Sequence, residues 1–183
     1  MGVYLPNAIE SDAAQVAFYG LYALQHRGQE SAGIAASDGR TLRNFTNVGL
    51  VSSAFRQEDL ERLPGHVAIG HTRYSTTGSS SALNAQPIMA KGPNVELAMG
   101  HNGNIINAAE LRDRLAEWGV TMATGTDSEV IAYLLAWAPG ETWRERAAYL
   151  MKSARGAYSL VVATTDSVVG IRDPHGFRPL CIG

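Results

Sequence analysis

The order of the predicted elements indicates an α+β fold, in which antiparallel strands form sheets and helices cover them. Two turn signals, Asp38-Gly39 and Thr165-Asp166, each separate two strand-like segments, a pattern typical of antiparallel hairpins. The helical segments fall between groups of strands rather than after every strand. This order favours α+β layers over a doubly wound parallel sheet, in which strands and helices alternate.

The first half of the chain is predicted to start with a short strand and a helix, followed by a hairpin and a further strand. Pro6 ends the first strand because proline has no backbone N–H to donate. Ser11 or Asp12 can cap the helix. In order, the predicted elements are a strand at 2–5, the helix through Gln25, the hairpin strands at 31–37 and 41–48, and a strand at 66–74.

The second half is predicted to hold more helix, between a buried strand and a second hairpin. Gly119 ends one helix, and Thr126 or Asp127 can cap the next. Gly78 to Asn94 is predicted to be a connection without regular structure, and so either a functional lid or a mobile loop. The predicted elements are a strand at 95–101, helices at 108–118, 128–136 and 143–153, strands at 157–164 and 167–172, and the start of a last strand at 180–182.

Composition excludes several classes of protein. The chain has 183 residues, of which 45% are hydrophobic and 17% charged, as expected of one ordinary globular domain or two very small ones. The net charge is −2 and no basic block occurs, which argues against nucleic-acid binding and against an acidic membrane partner. One cysteine, Cys181, rules out an internal disulfide framework. With no signal-peptide pattern and no apolar run near the ~20 residues that span a bilayer, we expect a cytoplasmic protein.

Three polar clusters interrupt apolar segments. An arginine at a strand end can bind a carboxylate through two parallel hydrogen bonds. An Asn-Gly pair favours a tight turn with positive φ, which can direct consecutive backbone N–H groups to one point and so form an oxyanion hole. The clusters are Gln25 to Ser31 after the first helix, His71 to Thr76 at a strand end, and His101 to Asn104, also predicted at a strand end.

Each candidate residue also has an ordinary structural interpretation. Arg73 fits an ion pair as well as a ligand contact, Asn102-Gly103 fits a plain turn, and Asp127 fits an N-cap as well as a site for a substrate ammonium. Cys181 lies in an apolar segment and is predicted to be an inert core residue. The five histidines lack metal-ligand spacing and are predicted to be hydrogen-bonded structural residues. The residues alone therefore predict an α+β domain with a candidate amino-acid site, and identify no nucleophile.

Taken together, these segments resemble the signatures of the glutaminase domain of the amidophosphoribosyltransferases of purine synthesis. The resemblance covers nearly the whole chain, 1–183, as one type-2 glutamine amidotransferase domain. The Gln-His-Arg-Gly-Gln-Glu run and the Gly-Phe-Arg-Pro-Leu ending favour this family over glucosamine-6-phosphate synthase, asparagine synthetase and glutamate synthase. The matching segments are Leu24 to Ile34, Gly70 to Thr76, His101 to Asn104, Thr126 to Glu129, Lys152 to Tyr158 and Asp173 to Leu180.

The resemblance implies an N-terminal nucleophile hydrolase fold, with two stacked antiparallel sheets between two helix layers. In that family an N-terminal cysteine attacks the glutamine amide, its own α-amino group serves as the base, and ammonia leaves from a thioester intermediate. Carried over residue by residue, Arg73 would bind the α-carboxylate of glutamine and Asp127 its α-ammonium. Asn102 and Gly103 would supply the oxyanion donors.

The resemblance also implies roles around this site. Thr76 and the run Gly78 to Ser81 would belong to a loop that closes over glutamine and excludes water, and Arg27 would support the site. L-glutamine is the implied substrate and no metal is expected in this domain. The family continues with a phosphoribosyltransferase domain that these residues lack. We expect Mg²⁺ and an iron–sulfur cluster only with that region, and a homo-oligomer only for the full-length enzyme.

The start of the chain departs from the family pattern, which opens Cys-Gly-Val-aromatic-Gly. Met1 occupies the cysteine position in one register. In the other, Met1 to Tyr4 match the later part of the same strand, and Cys-Gly-Val is missing. We favour the second register, because the first places Pro6 inside the strand. Either way no thiol stands at the start, so the chain is expected to be a fragment, truncated at both ends, that does not hydrolyse glutamine. The alternative functions are a non-catalytic glutamine-binding or partner-binding domain and a plain α+β interaction domain.

Overall fold

A computed structural model of the protein describes residues 1–6, 13–74 and 82–183, and in these ranges two four-stranded antiparallel sheets lie against each other. The first sheet has the strand order β1-β4-β2-β3, with Gly2 opposite Ile69 and Ser31 opposite Arg73. Its elements are β1 (Gly2–Tyr4), α1 (Ala13–Ala23), a 3₁₀ turn (Gln25–Arg27), β2 (Ser31–Ser37), β3 (Leu42–Val48), α2 (Val51–Ala54), α3 (Gln57–Glu61) and β4 (Val67–Arg73).

The second sheet has the order β5-β6-β7-β8. Strand β6 is the longest in the described part of the chain and pairs with β7 along the whole segment from Ala98 to Ile105. The elements are a 3₁₀ turn (Ala82–Asn84), β5 (Ile88–Lys91), β6 (Glu96–Ile105), α4 (Ala108–Glu117), α5 (Asp127–Trp137), α6 (Trp143–Ser153), β7 (Gly156–Ala163) and β8 (Val168–Arg172).

Three apolar clusters define the layers. One joins α1, α2 and α3 to the outer face of the first sheet, through residues such as Leu21 and Ile34. A second joins α4, α5 and α6 to the outer face of the second sheet, through Leu111 and Leu135. The third lies between the two sheets and includes Ile69. The four-layer αββα arrangement that the resemblance implied is therefore confirmed.

Local sequence signals explain several element boundaries. Thr126 caps α5, since its hydroxyl accepts a hydrogen bond from the Glu129 N–H. Thr142 and Glu145 form a reciprocal capping box at the start of α6. In the first hairpin the Asp38 carboxylate accepts hydrogen bonds from the backbone N–H groups of Arg40 and Thr41. The Asp38 contacts agree with the predicted turn, and Thr126 is one of the two caps predicted for α5.

Four predictions about elements are corrected. Strand β6 does not end at His101 but runs to Ile105, because β7 continues to pair with it. Residues 180–182 form no strand, since no neighbouring strand pairs with them, and Cys181 is exposed rather than part of the core. The stretch 78–94 contains β5 and a 3₁₀ turn where no regular structure was predicted, although residues 75–81 lie outside the described ranges. The first helix ends at Ala23 rather than Gln25, and its predicted caps, Ser11 and Asp12, also lie outside the description.

Candidate functional site

A cavity of about 1020 Å³ lies at the end of the sandwich where β4 stops, and residues of both sheets line it. Five of the residues predicted for the site contribute to this lining: Arg27, Arg73, Asn102, Gly103 and Asp127. Thr76 and the Gly78 to Ser81 run lie outside the described residues. The fold therefore brings together residues that are up to 100 positions apart in the sequence.

Arg73 is the last residue of β4 and forms an ion pair within the site. Its Nη1 donates to Oε1 of Glu30 at 2.8 Å, and the two side chains are only 14% and 16% exposed. The structural ion pair that the sequence offered as an alternative is thus present. It does not exclude a ligand contact, because a guanidinium has five N–H donors and Arg73 also lines the cavity. Binding of a carboxylate by Arg73 remains a prediction.

Asn102 and Gly103 lie within β6, so the predicted turn at these residues is wrong. They pair with Ser159 and Tyr158 of β7, and a Cβ atom at Gly103 would lie 2.1 Å from the Ala157 carbonyl oxygen. Gly103 has a φ of +156°. A glycine is required here by close strand packing rather than by a turn.

Beyond Met99, which pairs with the first residue of β5, the backbone of β6 presents N–H groups at an edge that β5 does not cover. The N–H of His101 donates to Gln86 Oε1 at 2.7 Å, and the N–H of Ile105 donates to Asp127 Oδ2 at 3.1 Å, both away from β7. Because alternate residues of a strand direct their N–H groups to the same edge, the N–H of Gly103 points to this edge, between Gln86 and Asp127. This geometry suits an oxyanion donor, a role that remains a prediction.

Asp127 is the first residue of α5, but it does not cap the helix. Thr126 takes that role, so the N-cap interpretation of Asp127 is wrong. The Asp127 carboxylate reaches across to β6, where it accepts the Ile105 N–H. It therefore joins the start of α5 to the edge of the second sheet and leaves a negative charge in the cavity wall. Binding of an ammonium group there remains a prediction.

Two histidines, half-buried His71 and buried His101, connect the sheets beside the cavity. His71 Nε2 donates to the His101 carbonyl oxygen at 3.0 Å, and His101 Nδ1 lies 2.8 Å from the Ser128 hydroxyl. Burial lowers the pKa of His71 to about 3, helped by the nearby N-terminal charge. Burial also lowers the pKa of His101, against the opposing effect of Asp127. Both imidazoles are therefore neutral near pH 7, and for these two the prediction of hydrogen-bonded structural histidines is confirmed.

The N-terminus lies at the same end of the first sheet. The Met1 α-ammonium donates to the Gly70 carbonyl at 2.6 Å, and the Gly70 N–H donates back to the Met1 carbonyl at 2.8 Å. The Met1 side chain packs against Gly20 of α1, whereas Gly2 faces Val161 of the second sheet. Burial and the charge of Arg27 lower the pKa of this amine. Arg27 thus acts electrostatically on the N-terminus.

Sequence reasoning missed several residues of the site. Glu30 and Gln86 hold Arg73 and β6, but neither carries a local signal beyond its place in a polar segment. Cys181 and its neighbours from Arg178 onward also line the cavity.

Within residues 1–6, 13–74 and 82–183, no group of three or more His, Cys, Asp and Glu residues is placed to hold a metal ion. No helix of the same ranges is long and apolar enough to cross a membrane.

We expect the stability of the fold to fall between pH 7.5 and 5.5 because of His71. An unfolded histidine titrates near pH 6.5, so below that pH the unfolded chain binds a proton that folded His71 does not accept until about pH 3. The free energy of unfolding should therefore decrease by about 1.4 kcal/mol for this residue. Urea denaturation at both pH values measures this. The free energy of unfolding should decrease less in His71→Gln, whereas in the control His26→Gln, which changes an exposed histidine, it should decrease as much as in the unchanged protein. Equal decreases in the unchanged protein and both variants would contradict the assignment.

Comparisons with known proteins show which proteins this chain is similar to. The model of the glutamine amidotransferase domain family matches residues 71–183. The amidophosphoribosyltransferase of Synechocystis sp. is 48% identical over 185 residues, which cover 100% of this chain and 37% of that protein. Glutamine phosphoribosylpyrophosphate amidotransferase from B. subtilis, solved with ADP and GMP, matches with a TM-score of 0.84 and 35% identity over 97% of this chain and 38% of its own.

A second solved structure, described as the allosteric regulatory enzyme of purine biosynthesis, matches with a TM-score of 0.86 and 36% identity. The match covers 97% of this chain and 38% of that one. The chain therefore spans less than two fifths of the length of the relatives it matches.

Proposed function

The chain belongs to the glutamine amidotransferase domain family, and on that basis we propose that it is the glutaminase half of an amidophosphoribosyltransferase. It would bind L-glutamine and, with a cysteine nucleophile in place, hydrolyse the side-chain amide. The ammonia would serve a phosphoribosyltransferase domain, which would form phosphoribosylamine from phosphoribosylpyrophosphate. That domain, and a homo-oligomeric assembly, are the partners we propose for the longer protein.

The observation that carries this proposal is the convergence of complementary groups on one cavity. Arg73 and Asp127 supply the positive and negative charges that a zwitterionic amino acid needs. The N–H of Gly103 points to the same edge as the Asp127 contact, where a developing oxyanion could be stabilised. An amino acid held by its α-groups would direct its side-chain amide along β6.

The chemistry follows from these positions. A thiolate would attack the amide carbon, giving a tetrahedral oxyanion that the donors of β6 stabilise. The α-amine of the cysteine, which has taken the proton of the thiol, would give it to the leaving nitrogen. The carbon–nitrogen bond would then break, so that ammonia leaves and a thioester remains. Water would hydrolyse the thioester to glutamate and restore the thiol. Neutral His71 and His101 would hold the two sheets in place without exchanging protons near pH 7.

We expect Arg73→Ala to weaken L-glutamine binding by roughly 1.5–3 kcal/mol, the range for a lost hydrogen bond to a charged group. The reason is that the α-carboxylate would lose its cationic partner. Chemical-shift titration of the ¹⁵N-labelled chain measures the affinity and shows that the fold is intact. Arg43→Ala is a matched control, because it removes an arginine from a surface ion pair with Asp38. Equal affinity of Arg73→Ala and the unchanged protein would contradict the assignment.

Glutamine binding without hydrolysis is a second candidate function. It is favoured by the cysteine content, since the only thiol among the 183 residues is that of Cys181. Ammonia release separates the two candidates. The proposed glutaminase requires release once a cysteine is supplied at the site, whereas a binding domain would take up glutamine and release nothing even then.

A further inference from the structure

Glu30, which directly precedes β2, contacts the guanidinium of Arg73. The contact is short, at 2.8 Å between Nη1 and Oε1, and both side chains are largely shielded from water. An ion pair of this kind differs from an exposed one, since burial makes the loss of either partner costly. The second carboxylate oxygen, Oε2, is buried and has no hydrogen-bond partner among the residues that the structure describes. Among the residues that the structure describes, Arg73 is therefore the cation that compensates the charge of Glu30.

The backbone of Glu30 is held in place on both sides. Its N–H donates to the Arg73 carbonyl at 3.1 Å, and its own carbonyl accepts the Gly49 N–H at 2.7 Å. The chain before it also lies close to β4, because a Cβ atom at Gly28 would come within 2.8 Å of the Thr72 and Arg73 carbonyl groups. The Glu30 carboxylate is thus a fixed point against which a long side chain can be oriented.

We propose that Glu30 is a positioning residue for the amino-acid site, which it serves by holding the Arg73 guanidinium in the orientation that receives a ligand α-carboxylate. This inference rests on the proposed function and adds a residue to it. An arginine side chain has many rotamers, and binding would otherwise have to immobilise it at a cost in conformational entropy. With one N–H already committed to Glu30, the remaining donors of the planar fork have a set direction.

The inference makes a prediction that depends on the ligand. Glu30 acts through Arg73, so its loss should matter only for ligands that carry an α-carboxylate. L-glutamine has this group. The analogue 4-aminobutanamide keeps the amide and the ammonium but lacks the carboxylate. Its affinity for the protein should therefore not depend on Glu30. A residue that merely supported the fold of the cavity would affect both ligands.

The test is chemical-shift titration of the ¹⁵N-labelled chain with each ligand, for the unchanged protein and for Glu30→Gln, Glu30→Asp and Glu110→Gln. Glu110→Gln is the matched control, because Glu110 forms an equally short ion pair with Arg155 on the surface. We expect Glu30→Gln to weaken L-glutamine binding about tenfold, equivalent to 1.4 kcal/mol, with little change for 4-aminobutanamide. The affinity of Glu30→Asp for L-glutamine should lie between those of the unchanged protein and Glu30→Gln. When Arg73 is already alanine, Glu30→Gln should cause no further loss of affinity.

Each other outcome overturns a defined part of the account. If the unchanged protein binds L-glutamine and Glu30→Gln behaves like Glu110→Gln, the role of Glu30 is refuted and the proposed function stands. If Glu30→Gln weakens the binding of both ligands equally, Glu30 does not act through Arg73. The same conclusion follows if Glu30→Gln still weakens L-glutamine binding when Arg73 is already alanine. If the unchanged protein binds no L-glutamine, the proposed function fails and the inference fails with it.

Discussion

A variant that carries Cys-Gly-Val ahead of Met1, processed to a free N-terminal cysteine, is expected to release ammonia from L-glutamine at least about a hundred times faster than residues 1–183. The unchanged chain presents only the thioether of Met1 at this point, which has no proton to lose and is a poor acyl acceptor. In the variant, a thiol and an α-amine base would stand on one residue, and base catalysis alone contributes about 10²–10⁴-fold. Ammonia release measures the difference.

The register of β1 explains why three residues are needed. Met1 and Gly70 form a mutually hydrogen-bonded pair, so residues added before Met1 in the same register would lie opposite His71, Thr72 and Arg73 in turn. The added cysteine would therefore lie opposite Arg73. Because side chains alternate along a strand, it would face the same way as Gly2, toward the second sheet that carries Asn102 and Gly103.

The competing register is tested by Met1→Cys with a free α-amine. The side chain at position 1 faces Gly20 of α1, away from the second sheet, so this variant is expected to be no more active than the unchanged chain. Acylation of the new α-amine should abolish the activity of the extended variant, because that amine is the proposed base. If Met1→Cys were active and the extended variant were not, the first register would be correct. If both stayed inactive while folded, the N-terminal nucleophile mechanism would be wrong for this chain.

Gly103→Ala is expected to lower the free energy of unfolding by about 3 kcal/mol and to abolish glutamine binding. The new methyl group would lie 2.1 Å from the Ala157 carbonyl oxygen and 2.6 Å from the Tyr158 Cα, both of which are backbone atoms of β7. Backbone atoms in a sheet cannot move aside as a flexible side chain can, so β6 would shift. The melting temperature of a domain of this size should fall by roughly 6–12 °C.

Gly125→Ala is the control for that substitution. Gly125 also lines the cavity, but a Cβ atom there would meet nothing within 4 Å. Its free energy of unfolding should change by less than about 0.5 kcal/mol. Calorimetric melting of both variants, together with the L-glutamine titration, measures the contrast. Similar melting temperatures for Gly103→Ala and Gly125→Ala would show that β6 and β7 are not packed as described.

Local sequence signals were sufficient for most helices and for both hairpins. The helix at 143–153 was predicted with its observed limits, and its capping box lies within four consecutive residues. Features that depend on distant partners were not predicted. The continuation of β6 past His101 depends on β7, more than 50 residues later, and the segment ending at Cys181 stays irregular because no strand pairs with it.

In the candidate site, too, some residues were predicted from the sequence, whereas their contacts with distant parts of the chain were not. The resemblance identified Arg73, Asn102, Gly103 and Asp127, and the fold places all four around one cavity. Their surroundings could not be inferred from the sequence, because Glu30 reaches Arg73 only through the pairing of β2 with β4. Assignment of the cap to Thr126 rather than Asp127 likewise required the contact between Asp127 and β6.

A crystal structure of the chain with bound L-glutamine tests the central claim most directly. The account predicts the α-carboxylate within hydrogen-bonding distance of the Arg73 guanidinium and the α-ammonium within the same distance of the Asp127 carboxylate. The side-chain amide should point toward the backbone N–H of Gly103. Glutamine bound elsewhere on the protein, or bound in this cavity with its α-carboxylate away from Arg73, would contradict the account.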